Sequence, residues 1–273
     1  MNSSLKIGLI SYRSNPHCGG QGVYIRHLSH ALADLGHKVE VIAGPPDPLL
    51  NNQVNNNVTL TMLKTLDLYN PEDLFRTPTL NELADPINLI EWLDVSFMGY
   101  PEPLTFGMRM KKHLRETKKE YDIIHDNQSL SYGIMSLAKR MPVTATIHHP
   151  MTVDRRLAVQ STKSFLKKIK ALRWYSFINM QKRVAKKLSC IITVSQSSKK
   201  DIAKEFNIPE SKFKTIPIGI DTNNFYPIQT VKKQPGRIIV TNSADTPLKG
   251  LYHLLFAIKG VLKTRQVKLV VIG

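Results

Sequence analysis

Three glycines, Gly19, Gly20 and Gly22, lie between a short apolar run and a segment with helical spacing. Glycine lets the backbone approach a ligand closely, and the N-terminus of a helix favours an anion. The spacing does not match the dinucleotide loop, because Ile25 stands where the third glycine would fall, and no Gly-Lys-Ser/Thr triplet follows. The segment therefore indicates either an anion site or only a tight turn.

Paired histidines, His148 and His149, follow the apolar stretch VTATI, which is typical of a buried strand. A histidine at a strand end can serve a reaction as an acid or base, or it can simply form a structural hydrogen bond there. Successive side chains of a strand point to opposite faces, so we assign His148 to the ligand crevice and His149 to a structural role. His125 ends an earlier strand, and we expect it to be structural or to line the cleft.

These residues stand where predicted strands meet loops and helices. Strand-like runs at 5–11 and 37–44 enclose a helical pattern over 23–35, an order that predicts a parallel α/β sheet. Further strands are predicted in VTLTMLK, YDIIHD, VTATIHH, CIITVS and FKTIPI, and helices over 105–119 and in SYGIMSLAKR and SSKKDIAKEF. The proline-interrupted stretch 67–103 predicts short helices and loops shaped around a substrate.

The composition predicts a globular protein of one large or two modest domains, with 273 residues, 42% hydrophobic and 22% charged. Cys18 and Cys190 lie far apart without metal-ligand spacing, which predicts free thiols in a reducing compartment. The chain opens without a secretory signal pattern, and no apolar run approaches the roughly 18–20 residues that span a bilayer. A cytoplasmic location is expected.

Positive charge is concentrated in one stretch. The net charge is +17, and residues 155–200 hold thirteen basic residues and no acidic one. Apolar residues recur there every three or four positions, so much of the stretch predicts an amphipathic helix. Ordinary solvated helix faces mix charge signs, so the stretch favours binding to an anionic membrane surface. The protein would then be peripheral on the inner face of that membrane. The alternative is a plain solvated helix. No nucleic-acid-binding module is visible, and nucleic acid is not expected as a partner.

Several motifs together resemble the GT-B glycosyltransferases of family 4. The run TVSQSSKKDIAKEFNIPESKFKTIPIGIDTNNFYP resembles the end of that family's first domain, and the Gly-Gly loop with LSHALADLGHKVEVI resembles its first strand–loop–helix unit. TIHHP resembles its histidine-bearing strand end, and LKG at 248–250 the opening of its second domain. The resemblance implies retaining sugar transfer from a nucleotide sugar. It also implies two Rossmann-like domains, an acceptor-side domain over 1–230 and, from 237 to 273, the start of the nucleotide-sugar domain.

The resemblance also implies roles for single residues. His148 would lie at the reaction centre, and the acceptor would be a sugar, a lipid-linked or a small-molecule hydroxyl. The nucleotide sugar is a co-substrate, and neither a metal nor another cofactor is expected. The remaining assignments are donor phosphate and sugar binding for Gly19, Gly20 and Lys249, and cleft lining for Gly22, Asn127 and Ser195.

Three departures from the family pattern bear on activity. Ala244 replaces a common arginine, Asp126-Asn127 occupy the place of a frequent second histidine, and the paired glutamates that hold the donor are not found in this sequence. We therefore expect these 273 residues alone to transfer no sugar. The alternative is a non-catalytic remnant that binds an acceptor or a membrane. An unrelated dinucleotide enzyme is disfavoured by the glycine spacing. One helix cannot cover both faces of the sheet predicted over 237–273, so its strands should either dock on the first domain or be left exposed.

Overall fold

The architecture is a parallel sheet enclosed by helices, with a small second sheet towards the C-terminal end. A computed structural model describes residues 4–50, 56–241 and 249–273. The first sheet contains β1 (Lys6–Ser11), β2 (Lys38–Ala43), β3 (Val58–Met62), β4 (Ile123–Asn127), β5 (Val143–Ile147), β6 (Ile191–Thr193) and β7 (Phe213–Thr215). Its order is β3-β2-β1-β4-β5-β6-β7, and every neighbouring pair is parallel. The predicted parallel α/β sheet is confirmed.

Helices connect the strands on both faces of this sheet. They are α1 (Gly20–Asp34), α2 (Leu80–Leu83), α3 (Pro86–Ser96), α4 (Glu102–Thr117), α5 (Tyr132–Leu137), α6 (Met151–Gln160), α7 (Phe165–Trp174), α8 (Ile178–Lys187) and α9 (Gln196–Phe206). The predicted helix over 105–119 begins earlier, and the one in SYGIMSLAKR is shorter than expected. The stretch 67–103 forms loops and two short helices, as predicted.

The basic stretch is not one continuous helix. It forms α6, α7 and α8, with a break at 161–164 and a 3₁₀ turn over Tyr175–Phe177. The break consists of the sequence STKS, in which Thr162 Oγ1 accepts a hydrogen bond from the backbone N of Ser164. Such local hydrogen bonds compete with helical ones and can end a helix. The apolar spacing continues across residues 161–164, so it did not reveal the boundary between α6 and α7.

The hydrophobic core lies on both faces of the sheet. On one face, Ile25 of α1 packs against Leu9 and Val41. On the other, α4, α5, α8 and α9 cover a larger cluster that includes Ile124 and Met110. The side chains of β1 alternate between these two layers, as expected for a buried parallel strand.

Helices α4 and α5 touch backbone to backbone. A Cβ built on Gly133 would lie 2.0 Å from the carbonyl oxygen of Gly107, and one built on Gly107 would lie 1.6 Å from Ser131 Oγ. Only a glycine pair permits this approach, which holds α5 close behind the end of β4.

The second sheet has two parallel strands, β8 (Arg237–Thr241) and β9 (Lys268–Ile272), joined through α10 (Leu251–Val261). No residue of 237–241 or 249–273 is buried in the described structure, and Ile239, Phe256 and Val271 are all exposed. Of the two expected outcomes, exposure of these strands is thus the one observed. Ala244 lies outside the described residues. None of the described helices is long and apolar enough to cross a membrane.

Candidate active site

The site lies where the strand order reverses. β1 is flanked by β2 on one side and β4 on the other, so the connections after β1 and β4 diverge and leave a crevice at their carboxyl ends. The start of α1, the end of β4 and the end of β5 meet there. This arrangement brings together the glycine loop, Asn127 and His148, for which the family resemblance implies donor binding, cleft lining and a place at the reaction centre.

The glycine loop presents the N-terminus of a 15-residue helix. Gly19 precedes α1 with φ 138°, a conformation that favours glycine, and α1 starts at Gly20. A Cβ on either glycine would meet no atom within 4 Å, and the first turn of α1 carries no acidic residue. No side chain at these two positions blocks the helix start, and no acidic residue of the first turn offsets its positive potential, which favours binding of an anion such as phosphate.

Gly22 has a different position from its two neighbours. It is buried, and a Cβ at this position would lie 2.4 Å from the backbone of Asn15 and from the carbonyl oxygen of Ser14. Its missing side chain lets the loop before α1 fold back over the helix. Gly22 thus shapes the loop that carries Gly19 and Gly20.

His148 and Asn127 are joined across the ends of β5 and β4. The distance from His148 Nε2 to Asn127 Oδ1 is 2.9 Å. Asn127 Nδ2 donates to Ser11 Oγ at 3.1 Å and to the carbonyl oxygen of Gln21 at 3.4 Å. A carbonyl only accepts, so the amide nitrogen of Asn127 must face Gln21 and its oxygen must face the imidazole. This orientation places the proton of a neutral His148 on Nε2 and leaves Nδ1 as an acceptor.

His148 is held in its neutral form. Burial, followed by the neighbouring His149, lowers its pKa to about 4. Tyr24, one turn into α1, packs edge-on against the imidazole with ring centroids 4.9 Å apart, which restricts its rotation. The ring is therefore a fixed, uncharged group whose Nδ1 can accept a hydrogen bond or a proton from a hydroxyl group.

The main chain at residues 148–149 is held by Gln128. His148 N donates to Gln128 Oε1 at 2.7 Å, and Gln128 Nε2 donates to the carbonyl oxygen of His149 at 3.1 Å. From α8, Gln181 Nε2 donates to the carbonyl oxygen of Gln128 at 3.0 Å. The turn after β4 is itself fixed by Asp126, whose carboxylate accepts bonds from the backbone N of Ser129 and Leu130 and from Ser129 Oγ.

His125 is a buried neighbour without access to the crevice. Its Nδ1 and Nε2 each lie 2.9 Å from a hydroxyl, those of Thr144 and Thr146. Burial, followed by the nearby His148, lowers its pKa to about 4. Both ring nitrogens are occupied, which supports the structural alternative for His125. His149 is half-exposed and its Nε2 lies 3.2 Å from Asp154 Oδ2, in line with the structural role expected for it.

Ser195 and Lys249 lie apart from this network. Ser195 is the N-cap of α9, and its Oγ accepts a hydrogen bond from Ser198 N at 3.0 Å. Lys249 is exposed, and among the described residues it forms no ion pair or side-chain hydrogen bond. The structure thus brings Gly19, Gly20, Asn127 and His148 together, whereas Lys249 belongs to the segment that carries the second sheet.

Two features of the site were missed in the sequence. Gln128 and Tyr24 both act on His148. The only sequence signal for them was that Gln128 directly follows a predicted strand and Tyr24 follows the glycine loop.

A buried carboxyl group lies beside β1. Glu102 Oε2 lies 3.5 Å from Arg13 NH1 and accepts a hydrogen bond from Tyr100 at 2.7 Å. Burial raises the pKa of Glu102 to about 7. No cluster of three or more metal-ligating side chains occurs in the described part of the chain.

Comparison with known proteins identifies the class. The model of Glycosyltransferase Family 4 matches residues 18–224, and the chain belongs to this family. Its fold is that of the GT-B glycosyltransferases: the catalytic domain of starch synthase IV from Arabidopsis thaliana, solved with ADP and acarbose, superposes with a TM-score of 0.60 at 14% identity over 99% of this chain and 69% of that one. WaaG, a glycosyltransferase involved in lipopolysaccharide biosynthesis, gives 0.56 at 13% identity, over 97% and 62% of the two chains.

A curated relative is more similar in sequence. The chain is 42% identical over 266 residues to the MMP alpha-(1->4)-mannosyltransferase of Mycolicibacterium hassiacum, covering 97% of this chain. The match covers 63% of the length of that enzyme. The similarity thus includes the whole crevice described here and part of the relative.

Proposed function

We propose that the protein is a glycosyltransferase that moves a hexosyl group, with retention of configuration, from a nucleotide sugar to an acceptor hydroxyl bound near His148. The carrying observation is the neutral imidazole of His148, fixed by Asn127 with Nδ1 left as an acceptor, beside the open N-terminus of α1. Membership of family 4 supports the reaction class. The 42% identical mannosyltransferase makes mannose the first sugar to test.

In this proposal the two halves of the site have separate tasks. The backbone N–H groups at Gly20 and its neighbours bind the donor diphosphate, because charge developing on the leaving group is stabilised by donors that are already oriented. Lys249 adds a cation to the same group once the second sheet faces the crevice. Neutral His148 accepts a hydrogen bond from a sugar hydroxyl, which an imidazolium could not do. No metal takes part.

A hybrid enzyme tests the acceptor side directly. Residues 1–236, fused to the remaining part of the M. hassiacum enzyme, should transfer mannose from a mannose nucleotide to that enzyme's acceptor. His148→Ala should lower kcat by about 10²-fold or more, the usual contribution of a positioned acid or base. His149→Ala, the adjacent half-exposed histidine, is the matched control and should stay within a few fold of the parent.

The results with the hybrid distinguish a glycosyltransferase domain from a non-catalytic binding protein. A folded hybrid that binds the acceptor and transfers nothing would support the alternative, a non-catalytic acceptor- or membrane-binding protein. Equal activity of the His148→Ala and parent hybrids would refute the role of His148. We also expect the 273-residue chain alone to bind acceptor without turnover, which a transfer assay on the purified chain checks.

A second proposal concerns an anionic membrane surface, and α7 favours it. Phe165, Leu166 and Leu172 of this helix are 75%, 69% and 51% exposed, and Lys167 and Lys168 stand among them. Exposed apolar residues with interspersed cations are typical of helices that lie in the interface of anionic lipid. No acidic residue of α7 opposes this charge. The chain would then be peripheral on the inner face of a membrane.

Vesicle binding tests this proposal. Binding to phosphatidylcholine vesicles with about 30% phosphatidylglycerol should fall as salt rises, because screening weakens the attraction. Leu166→Ser should weaken it, and Leu80→Ser, at a still more exposed leucine on α2, should not. Equal affinity for purely neutral vesicles would contradict the proposal.

A further inference from the structure

A cavity of about 560 Å³ lies between α3, α7 and the loop before α2, outside the crevice of His148. Its walls include Phe75, Trp92, Met98 and Trp174, and Ser96 and Lys170 provide polar groups. This volume falls within the range of pockets that enclose small molecules, and such pockets are mostly apolar with a few placed polar groups. The two tryptophans of the chain both face it.

The wall of the cavity is formed before any ligand arrives. Trp174 stacks on Tyr100 with ring centroids 5.0 Å apart, and it meets the edge of Tyr69 at 5.6 Å. Tyr69 in turn donates a hydrogen bond to the carbonyl oxygen of Gly99 at 3.1 Å. Because these contacts fix both the backbone and the indole, little conformational entropy is lost when a ligand enters.

An ion pair holds the two helices on either side of the cavity. Arg173 of α7 contacts the carboxylate of Asp94 on α3. A Cβ on Gly99 would lie 2.2 Å from Asp94 Oδ2, so a larger residue at this position would have to displace the carboxylate. The negative charge of Asp94 is paired with Arg173. No acidic residue is among those that line the cavity.

The charge at the opening is positive and comes from one lysine. Arg76 also lines the cavity, but it donates two hydrogen bonds to Glu82, at 3.0 and 2.6 Å. Lys170 is exposed and forms no ion pair within the described residues. An apolar chain or ring in the cavity would therefore place an anionic group best beside the ammonium group of Lys170.

We propose that this cavity binds an amphiphile, a molecule with an apolar chain or ring seated against Trp92 and Trp174 and an anionic group paired with Lys170. This site is separate from the sugar-transfer crevice and does not depend on that activity. The ligand can come from solution or from a membrane, and both sources share this chemistry.

Tryptophan fluorescence gives a direct reading, since both indoles line the cavity. Decyl phosphate, titrated into the full chain below its micelle concentration, should shift the emission with a saturable curve. Ala171→Phe, which fills the cavity from α7, should weaken binding at least tenfold. Lys170→Gln should weaken binding of decyl phosphate roughly twofold to fivefold, as expected for an exposed charge pair, and leave binding of decanol unchanged.

Matched controls identify the site. Lys167→Gln removes a charge from the same helix outside the cavity and should bind decyl phosphate like the parent chain. Lys170 is exposed, so its replacement tests the proposal even if Ala171→Phe fails to fold. Equal affinities of Lys170→Gln and Lys167→Gln, or an unchanged affinity of a folded Ala171→Phe, would overturn the proposal.

A vesicle arm distinguishes the two sources. Weaker binding of Ala171→Phe to both decyl phosphate and phosphatidylglycerol vesicles indicates a membrane lipid as the ligand. Weaker binding to decyl phosphate alone indicates a soluble amphiphile. Both results support the cavity as the site.

Discussion

His148 Nε2 and Asn127 Oδ1 lie 2.9 Å apart, and this one distance sets the chemistry of the crevice. Because the amide nitrogen of Asn127 is committed to Gln21 and Ser11, the imidazole must donate from Nε2. The chain thus uses an amide where a carboxylate would have favoured the imidazolium. An uncharged acceptor at Nδ1 is the result.

Asn127→Asp should reverse this choice. A carboxylate at hydrogen-bonding distance favours the charged imidazole and should raise the pKa of His148 by roughly one to three pH units. Asn127→Ala should leave the pKa low, because burial is the larger cause of its depression. Histidine NMR titration measures both variants. Identical titrations of Asn127→Asp and the parent chain would contradict the assigned hydrogen bond.

The contribution of His125 to the stability of the fold should be lost in acid below pH 6.5. Burial lowers the pKa of His125 to about 4, so the unfolded chain takes up a proton before the folded one does. The contribution is complete above pH 6.5 and is lost as pH falls to about 4, at a cost on the order of 3 kcal/mol. Urea unfolding at several pH values should show a shallower loss in His125→Gln. Parallel curves of unfolding free energy against pH for His125→Gln and the parent chain would contradict this contribution of His125.

Two glycines in the first turn of α1 should respond differently to alanine. Gly22→Ala places a Cβ 2.4 Å from the backbone of Asn15, so the loop must move, at a cost of about 1–3 kcal/mol. Gly20→Ala meets no atom within 4 Å and should leave the free energy of unfolding unchanged or slightly improved. Urea denaturation compares the two. A Gly22→Ala chain as stable as the parent would disprove the close packing.

Amide exchange should differ sharply between the two sheets. Strands β8 and β9 contain no buried residue, whereas five of the six residues of β1 are buried. Amides of β8 and β9 should therefore exchange much faster than those of β1 in the monomeric chain. Equal protection would show that the second sheet is covered in solution, and the expectation of an exposed unit would be wrong.

The sequence predicted the parallel sheet, its strand-end histidines and the glycine loop, because these follow from periodicity and glycine placement along the chain. It did not predict that Gln128 holds residues 148–149, since that contact depends on how β4 aligns with β5. The division of the basic stretch into α6, α7 and α8 was also missed, because a four-residue break leaves the apolar spacing almost unchanged. Gly22 could not be distinguished from Gly20 without the path of residues 14–15.

Gln128 grips the main chain of His148 and His149 and leaves both imidazoles out of the bond. The position at the end of β5 is therefore maintained by a residue on another strand connection, whichever side chain occupies it. Replacement of His148 would therefore change the chemistry of the site and keep the backbone hydrogen bonds to Gln128. Because the backbone at this strand end does not depend on the side chain it carries, other residues could replace the histidine during evolution without loss of the local conformation.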